Sequence, residues 1–179
     1  MVGTHPGRAI GARLARAMRM LPLLAALTLS ARVALYSSAS VDESGQLHIV
    51  LDSGKEILPR KTQGQVSFGS PLISPDRRTV GWLVNYADPG AINYVGDPIA
   101  GKLVIYRSGR VLHTFMTEQT FWDWQFQDGA KRVAYSTGPT HGGAAECVLR
   151  DVKSGSIMAS WPVRSGSEAP AWARNLRRQ

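Results

Sequence analysis

The sequence predicts an all-β fold built from about two and a half four-stranded antiparallel units. Three observations carry that prediction. Short runs rich in Val, Ile, Phe, Tyr and Trp are bounded by Gly, Pro, Asp and Ser throughout the body of the chain. Those runs recur at fixed offsets. After Asp42, no segment shows the 3.6-residue apolar stripe of an amphipathic helix.

The repeat is explicit. "FGSPLISPDRRTVGW" (Phe68 to Trp82) lies without gaps on "FWDWQFQDGAKRVAY" (Phe121 to Tyr135), an offset of 53 that sets Phe on Phe and Val80 on Val133. "KLVIYRSGRVLHTF" (Lys102 to Phe115) lies on "VLRDVKSGSIMASW" (Val148 to Trp161), an offset of 46 that sets Ser-Gly on Ser-Gly and Phe115 on Trp161. A partial copy, "LHIVLDSGKEIL" (Leu47 to Leu58), precedes both with the same strand, Ser-Gly turn and strand. The change of offset falls in one loop, long in "ADPGAINYVGDPIAG" and shorter in "TGPTHGGAA".

In the first complete unit the strands are expected at Val66–Ser74, Thr79–Asn85, Lys102–Arg107 and Arg110–Met116. Ser74-Pro75-Asp76 ends the first and launches the second, because proline presets φ at the first central turn position and aspartate accepts local backbone N–H groups. Ser108-Gly109 makes the second hairpin, where glycine takes the positive φ that the turn needs. Units of this kind, each ending near an aromatic residue, are propeller-type blades.

"ISPDRRTVGWLV" followed by "KLVIYRSGRVLHTF" resembles the WD40-like (TolB-type, PD40) repeat of β-propellers, in which a Ser-Pro-Asp-Gly turn precedes an apolar strand and a later strand ends in a glycine hairpin. The first unit has Arg77 where that family has glycine. The second keeps Asp128-Gly129 but has Gln127 in the Ser-Pro region. The resemblance runs from Gln46 to Trp161 and implies a blade rather than an activity. The smallest closed propellers have about four blades, so the chain predicts a partial propeller or a β-sandwich-like body. Two chains completing one ring, or an edge covered by a partner or by the C-terminal tail, are the other outcomes, since an open blade edge invites association.

The ends differ from the body. Arg8, Arg13, Arg16, Arg19 and Arg32 precede the first carboxylate, Asp42; four arginines against Glu168 follow Pro162. The formal charge of +8 therefore sits at the two ends, and residues 42–161 balance. A body without excess charge offers no basic patch to nucleic acid. Arginines, then "MLPLLAALTLSA", then small residues through "SSAS" follow the order of a secretory signal. Residues 1–39 are expected to be a signal peptide or anchor, with candidate cuts after Ser30, Ala31 or Ala39. The expected repeat domain is 40–161, and 162–179 is expected to be a basic, flexible tail. The expected location is secreted or periplasmic, with membrane contact only if the leader is uncleaved. Cys147 has no second cysteine to pair with.

Candidate chemistry is sparse. The Gly-x-Ser-x-Gly nucleophile elbow is absent, and no glycine-rich phosphate loop leads into a helix. His48, His113 and His141 lack metal-ligand spacing, so no metal or other cofactor is expected. His113 is read as a core or rim histidine sharing a face with Val111 and Phe115. In "EQTFWDWQFQDG", Trp122 and Trp124 flank Asp123 and would share one strand face. Two readings stand: a stacking platform with Trp122, Asp123, Trp124 and His141 as ligand-binding residues, or aromatic packing between blades. The expected function is a non-catalytic, exported β-repeat binding module, its partner a protein or a second copy at an open edge. The alternative is a small exported hydrolase with a site near Asp123, His141 and Glu146, which requires those three side chains to converge.

Overall fold

The computed structural model describes residues 34–88, 98–140, 142–164 and 166–176. These form three antiparallel sheets, each a simple meander in chain order. The first holds β1 (Tyr36–Val41), β2 (Leu47–Leu51) and β3 (Glu56–Ile57). The second holds β4 (Gln65–Ile73), β5 (Thr79–Tyr86), β6 (Ile99–Arg107) and β7 (Arg110–Met116). The third holds β8 (Thr120–Gln127), β9 (Arg132–Gly138), β10 (Glu146–Asp151) and β11 (Ile157–Pro162). The all-β class and the four-stranded units match the sequence reading: two complete propeller-type blades preceded by a partial one, in open sheets.

The partial blade can be placed within the repeat by its hydrogen bonds. In the third sheet, the turn after β10 ties back to the residue before β9 through Val152 N–H to the Lys131 carbonyl, 2.9 Å. In the first sheet, the turn after β2 ties back to the residue before β1 through Asp52 N–H to the Leu35 carbonyl, also 2.9 Å. β1, β2 and β3 therefore correspond to the second, third and fourth strands of a blade. Among the described residues, the first sheet has no counterpart of β4 and β8.

Period-two alternation sorts the side chains. One face of the first sheet presents Leu47, Ile49 and Ile57 to Phe68, Val80 and Trp82 of the second. Its other face is polar, with Ser38 opposite Val50 and Ser40 opposite His48. The far face of the second sheet presents Leu83, Leu103, Ile105 and Phe115 to Phe121, Trp124, Val133 and Tyr135 of the third. Each fully buried side chain of this size contributes about 1.5–3 kcal/mol, so these two interfaces hold the stack together.

The Ser-Pro-Asp turn forms as its chemistry dictates. Ser74 Oγ donates to Asp76 Oδ1 at 2.6 Å and accepts from Thr79 N–H at 3.0 Å. Arg77 takes the left-handed conformation, φ 57°, that glycine would adopt without strain. Its guanidinium donates to the Tyr36 carbonyl at 3.1 Å and pairs with Asp52, so the non-glycine residue ties the second sheet to the first.

Two expected boundaries change. The division between residues 39 and 40 falls inside β1, whose first residue Tyr36 is buried and donates its N–H to the Arg77 carbonyl. Residues 1–33, with the cuts after Ser30 and Ala31, lie outside the described residues. Nor is the segment after Pro162 a solvated tail as far as Leu176. Ala169, Ala173 and Leu176 are buried against Ala134, Cys147 and Leu149 on the outer face of the third sheet. A short 3-10 turn, Ala171–Ala173, shapes that strap. The cause is the apolar outer face of the third sheet, Ala134, Cys147 and Leu149, which the apolar residues of this segment cover.

Candidate binding groove

β8 carries the sequence-predicted aromatic site. A register shift between Phe121 and Asp123 leaves Trp122 outside the cross-strand pairs. Phe121 lies opposite Thr137 and Trp124 opposite Tyr135, so both face the second sheet, whereas Asp123 lies opposite Ser136 on the other face. Trp124 is buried and donates its indole N–H across the interface to the Ser70 carbonyl at 3.0 Å. It meets Phe126 edge-on at 5.2 Å. Those contacts are packing between sheets and leave Trp124 no face for a ligand. Trp122 is half-buried, and Asp123 Oδ1 accepts the Trp124 backbone N–H at 2.8 Å. His141 lies outside the described residues.

The hydrolase arrangement can be judged on its two carboxylates. Glu146 pairs with Thr137, which pairs with Phe121. Asp123 pairs with Ser136, which pairs with Cys147. Directly opposed residues share a face and successive ones alternate, so Asp123 and Glu146 project from opposite faces of the third sheet. Among the described residues, no group of three His, Cys, Asp or Glu side chains is placed to hold a metal.

A different feature stands out between the first and second sheets. Pro59 lacks the N–H needed to extend a ladder, and β3 stops after Glu56 and Ile57. Its counterparts β7 and β11 run for seven and six residues. At the second interface the long β7 does the covering: Phe115 stacks on Tyr135 at 6.2 Å with the Arg150 guanidinium 4.7 Å from its ring centre, and His113 lies over Gly155. The stub β3 cannot do the same for the second sheet. A groove of about 430 Å³ remains over the faces of β5, β6 and β7.

The floor of the groove is aromatic and aliphatic. Trp82 meets Phe68 edge-on at 6.4 Å and Tyr106 at 5.8 Å, a tilted cluster beside Val104. Burial pushes the Tyr106 phenol above its usual pKa, so it is a neutral hydroxyl. Val111 joins this wall because of a bulge. Ile105 pairs with His113 but Tyr106 pairs with Val111, leaving Leu112 as the extra residue. Val111 consequently faces the groove, 53% exposed, while His113 and Phe115 face the third sheet. This corrects the expectation that Val111 shares a face with His113. Arg60 and Lys102 are the charged residues among the described lining, and no carboxylate is among it. The Lys102 ammonium lies 5.3 Å from the centre of the Tyr86 ring, which fixes it at the rim.

A second cleft, about 520 Å³, opens between the hairpin turns of the second and third sheets near Asp76, Arg107, Lys131 and Asp151. Its carboxylates are engaged: Arg107 lies 3.8 Å from Asp76, and Asp151 accepts both the N–H and the hydroxyl of Ser154, which hold its pKa below the usual range.

No family model matches the chain, and no curated protein matches its sequence. Among solved structures, a periplasmic gluconolactonase of Pseudomonas aeruginosa is 19% identical over 74% of this chain and 41% of its own, with a TM-score of 0.42. The C-terminal WD40 domain of Sif2 is 10% identical over 74% of this chain and 38% of its own, with a TM-score of 0.43. The WD40 propeller domain of Doa1 is 10% identical over 71% of this chain and 65% of its own, with a TM-score of 0.25. The chain spans less than half the length of the first two structures.

Proposed function

We propose that this chain is an exported, non-catalytic β-repeat binding module whose ligand seat is the groove beneath the truncated β3. The observation that carries this reading is the apolar groove lined by Trp82, Tyr106, Val104 and the exposed Val111, a cavity of about 430 Å³. Small-molecule sites are concave, mostly apolar and about 300–1,000 Å³ in volume, with a few polar groups at the edge. The opposite-facing Asp123 and Glu146 support a binding role over hydrolysis. Export rests on the arginine-then-leucine leader, and intact-mass analysis of protein from fractionated cells tests it. Self-association rests on the outer strands of the first sheet, β1 and β3, which have one partner each among the described residues; light scattering tests it.

The seat is tested with a neutral apolar probe, N-phenyl-naphthylamine. Val111→Asp puts a charge at an exposed position of the groove wall, where folding tolerates it. The variant should melt within a few degrees of the parent and lose most of the probe's fluorescence enhancement. Unchanged probe binding in a folded Val111→Asp protein would place the seat elsewhere, and Trp122 would be the next position to vary.

A further inference from the structure

We infer that the groove selects an apolar organic anion: an aromatic or branched aliphatic body carrying one carboxylate or similar acid group. This rests on the groove being the ligand seat and adds the sign of the ligand's charge. The described lining holds two cations, Arg60 and Lys102, and no carboxylate. Both stand at the polar edge of a floor formed by Phe68, Trp82 and Tyr106. A neutral ligand would satisfy the floor and leave two positive charges facing it. A cationic ligand would add like-charge repulsion in a site half-shielded from water. An anion with an apolar body satisfies both features, its acid group toward the two cations and its body along the apolar lining.

Lys61, next to Arg60, has its ammonium committed to the Ser44 and Val66 carbonyls at 3.2 and 2.8 Å. Lys102 stands on the same side of β6 as Val104 and Tyr106, with its ammonium 5.3 Å from the centre of the Tyr86 ring at the groove's rim. The body of the repeat carries balanced charge, so a local site of one sign on an apolar floor is a feature of this groove and not of the surface as a whole.

The experiment titrates the full chain with two probes of one shape: anilinonaphthalene sulfonate, an anion, and N-phenyl-naphthylamine, its neutral counterpart. The anion should bind one per chain and about fivefold or more tighter than the neutral probe at low salt, as expected for two partly exposed charges. That preference should shrink with added salt. In Arg60→Gln/Lys102→Gln, checked for a cooperative melt, the ratio of the two affinities should fall to near parity. Equal affinity of the two probes for the parent, or a preference that survives in the double variant, overturns the anion assignment and leaves the seat standing. Failure of both probes to bind overturns the seat as well.

Discussion

The indole of Trp124 fills the space that a side chain at Gly81 would need: a β-carbon there would lie 2.5 Å from Cη2 and 2.9 Å from Cζ3 of the ring. Gly81 sits mid-strand in β5, opposite Ile105, and has no turn to make. Its role is to let the third sheet approach the second, and it explains why Trp124 is a packing residue.

Gly81→Ala should therefore destabilise by about 1–3 kcal/mol, the cost of overpacking a filled interior. Trp124→Phe removes the two ring atoms concerned and should recover part of that loss when combined with Gly81→Ala. Denaturant melts of the two single variants and the double variant give the coupling. Additive losses would mean that the ring does not rest on Gly81.

The strands of the complete blades were legible because period-two patterning, Ser-Pro-Asp and Ser-Gly each act within a few residues. Arg110–Met116 was placed to the residue, and Thr79–Asn85 to within one at its end. The groove was not legible, for two physical reasons. Strict alternation put Val111 on the face of His113 and Phe115, and the bulge at Leu112 reverses it; a bulge is set by cross-strand pairing that a single strand does not display. The other half of the site is an omission, the strand that β3 fails to become. Pro59 in "EILPRK" was the available signal, a residue that stops a ladder where the two later units continue. The C-terminal strap was hidden by its arginines, which mask the small apolar set Ala169, Ala173 and Leu176. On the Trp122–Trp124 strand, composition alone did not separate a ligand platform from a sheet interface; the Ser70 and Gly81 contacts did.

The first sheet carries its own pH response. His48 on β2 presents Nδ1 to Glu56 of β3 at 2.6 Å and Nε2 to Asp42 beyond β1 at 3.0 Å, so the imidazolium links the three strands. Hydrogen bonds to Glu56 and then Asp42 raise the His48 pKa above its ordinary 6.5. Its share of stability is complete below 6.5 and is lost as pH rises through the raised value. Asp42 is the mirror case: bonds from the Ser44 hydroxyl, Gln46 N–H and His48 lower it from 3.8, so its share is present above 3.8 and lost as pH falls through the lowered value. The cluster stabilises most between those two ordinary values. Melting temperature against pH should fall on the alkaline side more steeply in the parent than in His48→Gln, and parallel curves there would mean the imidazolium link contributes nothing measurable.

The C-terminal strap makes Cys147 a reporter. Its thiol is buried on the outer face of the third sheet, in the same apolar cluster as Ala169, Ala173 and Leu176. The described part of the strap is held by Val163, Ala169, Trp172, Ala173 and Leu176 in that cluster, by Val163 N–H donating to the Ala145 carbonyl at 2.8 Å and by the Gln127 amide donating to the Trp172 carbonyl. Segments docked on one face of a sheet open locally, at a free energy below that of global unfolding. Leu176→Ala removes the largest aliphatic contact, and a loss of about 2 kcal/mol from that local opening is more than a factor of ten in its equilibrium. Labelling of Cys147 by dithionitrobenzoate should accelerate by about tenfold or more, while the global denaturant midpoint moves much less. If labelling keeps its parent rate, the strap is not what shields the thiol. If rate and midpoint move together by the same free energy, strap and sheets unfold as one unit, and the segment after Pro162 belongs to the cooperative core of the fold.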